Sequence, residues 1–165
     1  TARGKGGGVD AVTQLLASRD TGCQRYAALA IGNIAMEPKG RQCVLSAGDS
    51  LPQLSHLLGS QDTESVRYAA LAVGNLVLEA SGRSAALRDP KCVMNLVHSL
   101  GSDDRQTLRY VTGALRNIAV EDEGRRGILE HDRACPLLEA LTKSADSSTA
   151  RYAAACLKNL SLNPR

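Results

Sequence analysis

Residues 67–77 read RYAALAVGNLV, and this stretch is written four times along the chain. Its counterparts are RYAALAIGNIA from Arg25, RYVTGALRNIA from Arg109 and RYAAACLKNLS from Arg151. Tyr26, Tyr68, Tyr110 and Tyr152 are separated by steps of 42 residues, with no gap needed to hold the register. The same step carries Ser18, Ser60, Ser102 and Ser144, and two residues later Asp20, Asp62, Asp104 and Asp146. It also carries Gly40-Arg41, Gly82-Arg83 and Gly124-Arg125, together with Glu37, Glu79 and Glu121. Agreement at so many positions defines a tandem array, whose period governs every further reading.

Each unit divides into three helical segments. A Leu-rich stretch opens it, with Val12, Leu15 and Leu16 answered by Leu54, Leu57 and Leu58, then by Leu96 and Leu100, then by Leu138 and Leu141. That i, i+3, i+4 spacing describes one helical face. The Ser-x-Asp turn supplies a helix-capping carboxylate. The long RYAALA helix follows and is expected to end near Glu37-Pro38 or Glu79 to Gly82. A short helix is expected from the Gly-Arg pair to Ala47-Gly48, Asp89-Pro90 or His131-Asp132. The units fall at 8–48, 49–90, 91–132 and 133–165, with the first and last incomplete and ends that carry no polar cap, as in a segment of a longer protein. Gly6-Gly7-Gly8 is read as a flexible end rather than a phosphate loop, since the ordered G-x-x-x-x-G-K-[ST] pattern is absent.

Composition agrees with stacked helices. Of 165 residues, 43% are hydrophobic and 2% aromatic, with no Phe or Trp, so the core must come from Ala, Leu, Val and Ile. Those side chains suit close helix packing better than a sandwich or barrel, where aromatic and β-branched residues dominate. A net charge of +3 is too mild for the basic excess of a nucleic-acid binder. No apolar run reaches the roughly 20 residues of a membrane span. Five Cys without a CxxC pair point to reduced thiols and a cytoplasmic setting rather than a disulfide framework. Cys43, Cys92, Cys135 and Cys156 are expected in the core and Cys23 at the surface. His56, His98 and His131 are too scattered for a metal site, and no nucleophile stands beside a base, so neither a cofactor nor catalysis is expected.

A three-helix unit of this length, with LPQLSHLLGSQDTESVRYAALAVGNLVLE and ALRNIAVEDEGRRGIL as its text, resembles armadillo repeats over essentially the whole chain after Gly8. RYVTGALRNIA is closest in style to the yeast vacuolar armadillo adaptor and the β-catenin-like group. The resemblance implies an all-α, right-handed α-solenoid of three helices per 42-residue unit, built to bind proteins rather than to catalyse.

At about 100° per residue, Tyr26, Leu29 and Asn33 share one stripe of the long helix, flanked by Arg25 and Gly32. Ala27, Ala30, Ile31 and Ile34 lie opposite and are expected to be buried. Asn33, Asn75, Asn117 and Asn159 interrupt good helix formers in every unit, at a cost of roughly half a kcal/mol each against Ala. A carboxamide both donates and accepts, and by resemblance these four would hold a partner's main chain along a concave groove. The alternative is a bond to the neighbouring unit. Arg25, Arg67, Arg109 and Arg151, with Arg116 and Lys158 just before their Asn, form a cationic strip suited to carboxylates or phosphates, unless each Arg is spent on a turn Asp such as Asp62 or Asp104. Tyr26, Tyr68, Tyr110 and Tyr152 could face the partner, stack on an Arg, or simply pack.

The expected partner is therefore an extended acidic or phosphorylated protein segment, with a structural segment that self-associates through its open ends or spaces domains within a longer solenoid as the second reading. A nuclear-import receptor of the importin-α kind is disfavoured. The resemblance would require Trp four residues before each Asn, and this chain has Leu29, Leu71, Gly113 and Ala155 there.

Overall fold

The computed structural model describes residues 7–162, all of whose regular structure is helical. Four long helices are the spine: α2 (Thr21–Ile34), α5 (Thr63–Leu76), α8 (Arg105–Ile118) and α11 (Ser147–Leu160). Each follows a Leu-rich helix, α1 (Gly7–Leu15), α4 (Ser50–Leu57), α7 (Pro90–Ser99) or α10 (Ala134–Leu141). Short helices α3 (Pro38–Ser46), α6 (Ala80–Arg88) and α9 (Asp122–Leu129) link one unit to the next. The long helices pack on one another in chain order, α2 on α5, α5 on α8 and α8 on α11, so each unit is held by its neighbours.

The long helices start where the Ser-x-Asp turns are written. Asp62 accepts from Ser65 N at 2.9 Å, Asp104 from Thr107 N at 2.9 Å, Asp146 from Thr149 N at 3.0 Å and Asp20 from Cys23 N at 2.7 Å. Each capping Asp is itself fixed, because its own N–H donates to the Ser hydroxyl two residues earlier, as from Asp62 N to Ser60 Oγ at 3.1 Å. One orphan donor of the helix start is thereby satisfied in every unit.

The short helices begin earlier than the Gly-Arg pairs suggested, at Pro38, Ala80 and Asp122, with Glu37, Glu79 and Glu121 as extended N-cap residues. The Gly-Arg pair lies inside the first turn instead, for a reason of space. A Cβ on Gly82 would fall on the Leu76 carbonyl that ends α5, and Gly40 and Gly124 meet Ile34 and Ile118 in the same way. That approach brings Arg83 onto the helix end, where Nη1 donates to the Val77 and Leu78 carbonyls at 3.2 and 3.1 Å. Arg41 serves Ala35 and Met36 likewise, and Arg125 serves Ala119 and Val120. These are the carbonyls a helix leaves unpaired at its C-terminus.

The core is aliphatic throughout. Ala69, Ala72, Val73 and Leu76 are fully buried on α5, as are Val111, Ala114, Leu115 and Ile118 on α8. A second buried line, Ala28, Ala70 and Thr112, was not expected from a single buried arc. It arises because α2, α5 and α8 are each covered by the following long helix as well as by the Leu-rich helix of their own unit. At the first unit the burial is thinner, with Ala30 and Ile34 only half-buried. Gly7 and Gly8 open α1 rather than forming a flexible end, and Gly6 lies outside the described residues. Cys43 is exposed, contrary to its expected core position, while burial pushes the thiols of Cys92 and Cys156 up to about 12.

Candidate functional site

The repeated Arg and Asp of the long helices meet across unit boundaries. Arg25 Nε and Nη2 donate to Asp62 at 3.3 and 2.9 Å, and a third nitrogen reaches Glu64 at 3.0 Å. Arg67 forks onto Asp104 at 2.9 and 2.7 Å, and Arg109 onto Asp146 at 3.2 and 2.7 Å, where Arg105 joins at 3.2 Å. Two parallel N–H bonds give such a pair fixed geometry as well as charge. The carboxylate does three jobs at once, because Thr107 and Thr149 also donate their hydroxyls to it, at 2.7 and 2.8 Å, as Ser65 does to Asp62 at 2.7 Å. The Ser65 hydroxyl, then the Arg25 guanidinium, draw the Asp62 carboxyl down to about 2. Arg67 and Arg109 lower Asp104 and Asp146 further still. Of the two open readings of this ladder, the turn Asp is the partner found for Arg25, Arg67 and Arg109. Arg151 stands apart, exposed and paired with no described carboxylate.

The Asn ladder lies beside it. Asn75 Nδ2 donates to the Gly32 carbonyl of the preceding long helix at 2.9 Å, and Asn159 Nδ2 to the Arg116 carbonyl at 3.3 Å. The bond to the neighbouring unit therefore exists, yet it uses one donor and leaves the amide's acceptor and second N–H unspent. Asn117 is engaged differently, its Oδ1 accepting from Arg116 Nη2 at 3.2 Å. Asn33 is exposed and bonds to no described residue.

Between α5, α8 and α11 these side chains line a depression of about 220 Å³ whose wall includes Asn75, Tyr110, Arg116, Asn117 and Tyr152. Arg116 spreads over the Tyr152 ring, 4.7 Å from its centroid, so one Tyr of the ladder serves as a cation–π platform. Arg151 is also near that ring, at 5.6 Å. Tyr68 and Tyr110 pack at the margin of the core, whereas Tyr26 is exposed. Lys158 is exposed at the far end of the same face. At this end Arg105 and Arg109 share Asp146, while Arg116, Arg151 and Lys158 pair with no described carboxylate.

A second ladder went unassigned in the sequence. Arg41 Nε donates to Glu79 at 2.8 Å and Arg83 Nε to Glu121 at 2.7 Å, while Arg125 contacts Asp122 of its own helix. Glu79 and Glu121 make no cap bond at their helix starts, and their carboxylates take these arginines. The exact recurrence of Glu and Gly-Arg was its signal.

Among the described residues no group of three His, Cys, Asp or Glu could hold a metal, and no helix is long and apolar enough to cross a membrane. His56 and His98 are exposed. The His131 side chain takes no capping role, since the start of α10 has no side-chain cap.

This architecture is that of an armadillo-repeat solenoid. No family model and no curated protein matches the sequence. Among solved structures, an engineered protein of the Northeast Structural Genomics Consortium is 30% identical, with a TM-score of 0.84. Another engineered protein from the same source is 27% identical, at 0.80. A designed armadillo repeat protein in complex with the peptide (KR)4 is 24% identical, at 0.81. The matches cover 93%, 92% and 93% of this chain, which spans 62%, 62% and 64% of those proteins. Two of the three are engineered proteins and the third is a designed armadillo repeat protein, and what they share with this chain is the fold.

Proposed function

We propose that this array is a protein-binding scaffold that holds an extended acidic or phosphorylated segment of a partner along the face made by α2, α5, α8 and α11. The observation that carries the reading is the depression between α5, α8 and α11, where a guanidinium, two carboxamides and two phenol rings converge. Unspent donor and acceptor capacity on Asn75, Asn117 and Asn159 suits a peptide main chain. Arg116, preset by Tyr152 and Asn117, suits a carboxylate or phosphate. Arg151 and Lys158 extend the positive field toward the C-terminal end. Arg25, Arg67 and Arg109 brace the units and contribute indirectly.

The designed protein that holds (KR)4 has a similar fold, but the charge here favours the opposite kind of ligand. The likeness of RYVTGALRNIA to the vacuolar and β-catenin-like adaptors is in keeping with an adaptor role.

Fluorescence anisotropy with paired phosphorylated, unphosphorylated and Lys/Arg-rich peptides tests the proposal. An acidic or phosphorylated peptide should bind, and Arg116→Gln should weaken it about 10–100-fold, the range set by one charge-assisted hydrogen bond. Helicity and melting should stay close to the parent, because Arg116 makes no ion pair. Equal binding of basic and acidic peptides, or indifference to Arg116→Gln, would overturn it.

A further inference from the structure

The first three long helices end in one way, and the ending carries an apolar side chain that has no core to enter. Met36 N donates to the Asn33 carbonyl at 3.2 Å, Leu78 N to that of Asn75 and Val120 N to that of Asn117, both at 3.3 Å. A bond spanning three residues tightens the last turn and sets the two side chains one above the other. Each apolar residue therefore stands on the Asn stripe of its own helix. The carbonyls of the same three residues accept from Nη1 of Arg41, Arg83 and Arg125, at 3.1, 3.1 and 2.9 Å. Both backbone groups at this position are thus held in each of these units.

The side chains themselves stay in water. Met36 is 64% exposed, Leu78 48% and Val120 58%. Since α5 and α8 each have a long helix on either side, the exposure of Leu78 and Val120 belongs to the interior of the array. Single exposed apolar residues are ordinary on a protein surface, but three at one register, 42 residues apart, make a ledge. It runs into the depression described above, because Leu78 lines that depression with Asn75, Arg116, Asn117 and Tyr152. On each long helix a Tyr precedes the Asn by seven residues, and in the first three units the apolar residue follows it by three. The Asn ladder therefore divides the face, with Arg116 on the Tyr152 ring to one side and the ledge to the other.

We propose that the ledge reads the second side of the bound segment, so that the ligand is an extended chain alternating apolar residues with acidic or phosphorylated ones. This rests on the function proposed above and narrows its ligand. Successive side chains of an extended chain point to opposite sides. With its main chain on Asn75 and Asn117, such a segment sends one set of side chains toward Arg116 and the other onto Leu78 and Val120. The charged set meets a guanidinium, and the apolar set leaves water. A uniformly acidic segment would leave the ledge wet, and a uniformly apolar one would leave Arg116 without a counter-charge.

Fluorescence anisotropy with three peptides of equal length and charge tests this. One alternates phosphoserine with Leu, one alternates phosphoserine with Gln, and one gathers the phosphoserine and Leu of the first into two blocks. The alternating phosphoserine/Leu peptide should bind about 10-fold more tightly than either of the others, the low end of what burial of one aliphatic side chain supplies. Leu78→Ser combined with Val120→Ser should remove that margin and leave the phosphoserine/Gln affinity unchanged. Leu78→Met, the residue found at position 36, should keep the margin. Helicity should match the parent in both variants, because backbone bonds hold these positions. Equal binding of the three peptides, each weakened by Arg116→Gln, would overturn the ledge and leave the acidic groove standing. Binding of none, or indifference to Arg116→Gln, would overturn both. A sedimentation mass above 17.4 kDa that Leu78→Ser lowers, with peptide affinities unchanged, would give the ledge to a second copy and overturn the proposal as well.

Discussion

The seam between α2 and α5 and the seam between α8 and α11 share one frame and differ in what they present at the surface. In both, an Arg forks onto a turn Asp and an Asn reaches the carbonyl of the preceding long helix. The residue whose carbonyl takes that bond at the first seam is Gly32, and Leu71 closes over it so tightly that a Cβ would stand 3.0 Å from that side chain. Its equivalent at the second seam is Arg116, whose guanidinium lies on Tyr152. The residues that repeat without change therefore hold units together, and the position that varies decides what the surface offers. A solenoid whose units contact only their neighbours permits this separation, because a change at one seam leaves the others alone.

The largest expected effect concerns the frame. Gly82→Ala drives a Cβ into the Leu76 carbonyl, which belongs to the backbone and cannot rotate away. We expect destabilisation of about 3 kcal/mol, the upper range for overpacking, measured by urea unfolding. Gly74→Ala should do the opposite. Its Cβ would meet only the Tyr110 carbonyl at 3.5 Å, an ordinary contact, and a helix interior gains about 0.5–1 kcal/mol when Ala replaces Gly. If both glycines responded alike, the division between frame and variable position would fail.

The ion pairs rank next. Asp104→Ala removes the cap of α8 and the partner of Arg67, and should cost about 2 kcal/mol. Asp20→Ala removes a cap alone, so its effect should be smaller. The seam carboxylates also tie the stability of the array to pH. Asp62, Asp104 and Asp146 have pKa values below that of the unfolded chain, near 3.9. Their contribution is complete above that value and is lost as the pH falls from about 4 toward the Asp62 value of about 2. The urea midpoint should fall across this window, and Asp104→Asn should flatten the fall. An unchanged slope in that variant would remove the carboxylate from the seam.

The repeat, the helix caps and the aliphatic core could be read from the chain because each is local or strictly periodic. The Arg67–Asp104 fork could be read only as one of two alternatives, although both residues repeat, since it joins positions 37 apart on different units. Nothing within one unit says which neighbour's Asp its Arg will meet. Ala70 was missed for a related reason: one helical wheel yields one buried arc, and α5 is covered from two sides. The hydroxyls of Ser65, Thr107 and Thr149 had a readable signal in the S-x-D-x-x-[ST] pattern at 60–65, 102–107 and 144–149. Cys23 breaks that pattern in the first unit, where no hydroxyl stands at that place and the Asp20 carboxylate accepts from Cys23 N at 2.7 Å.

The smallest expected effect asks whether the variable position can be moved. Gly74 is the equivalent of Arg116, and it lines the same depression as Tyr110, the equivalent of Tyr152. Gly74→Arg should place a guanidinium over Tyr110 with little change in melting, since the first atom of the new side chain has room. It should also raise the affinity for an acidic or phosphorylated peptide by a few-fold up to about 10-fold, the value of one added charge contact on a partly exposed surface. The same change at Gly32 should not work, because Leu71 occupies the space. Gly32→Arg should instead lower stability and leave peptide affinity unchanged. Equal gains at both sites would mean that net charge alone governs binding. A gain at Gly74 only would mean that the ring beneath the guanidinium is what turns a cation into a site.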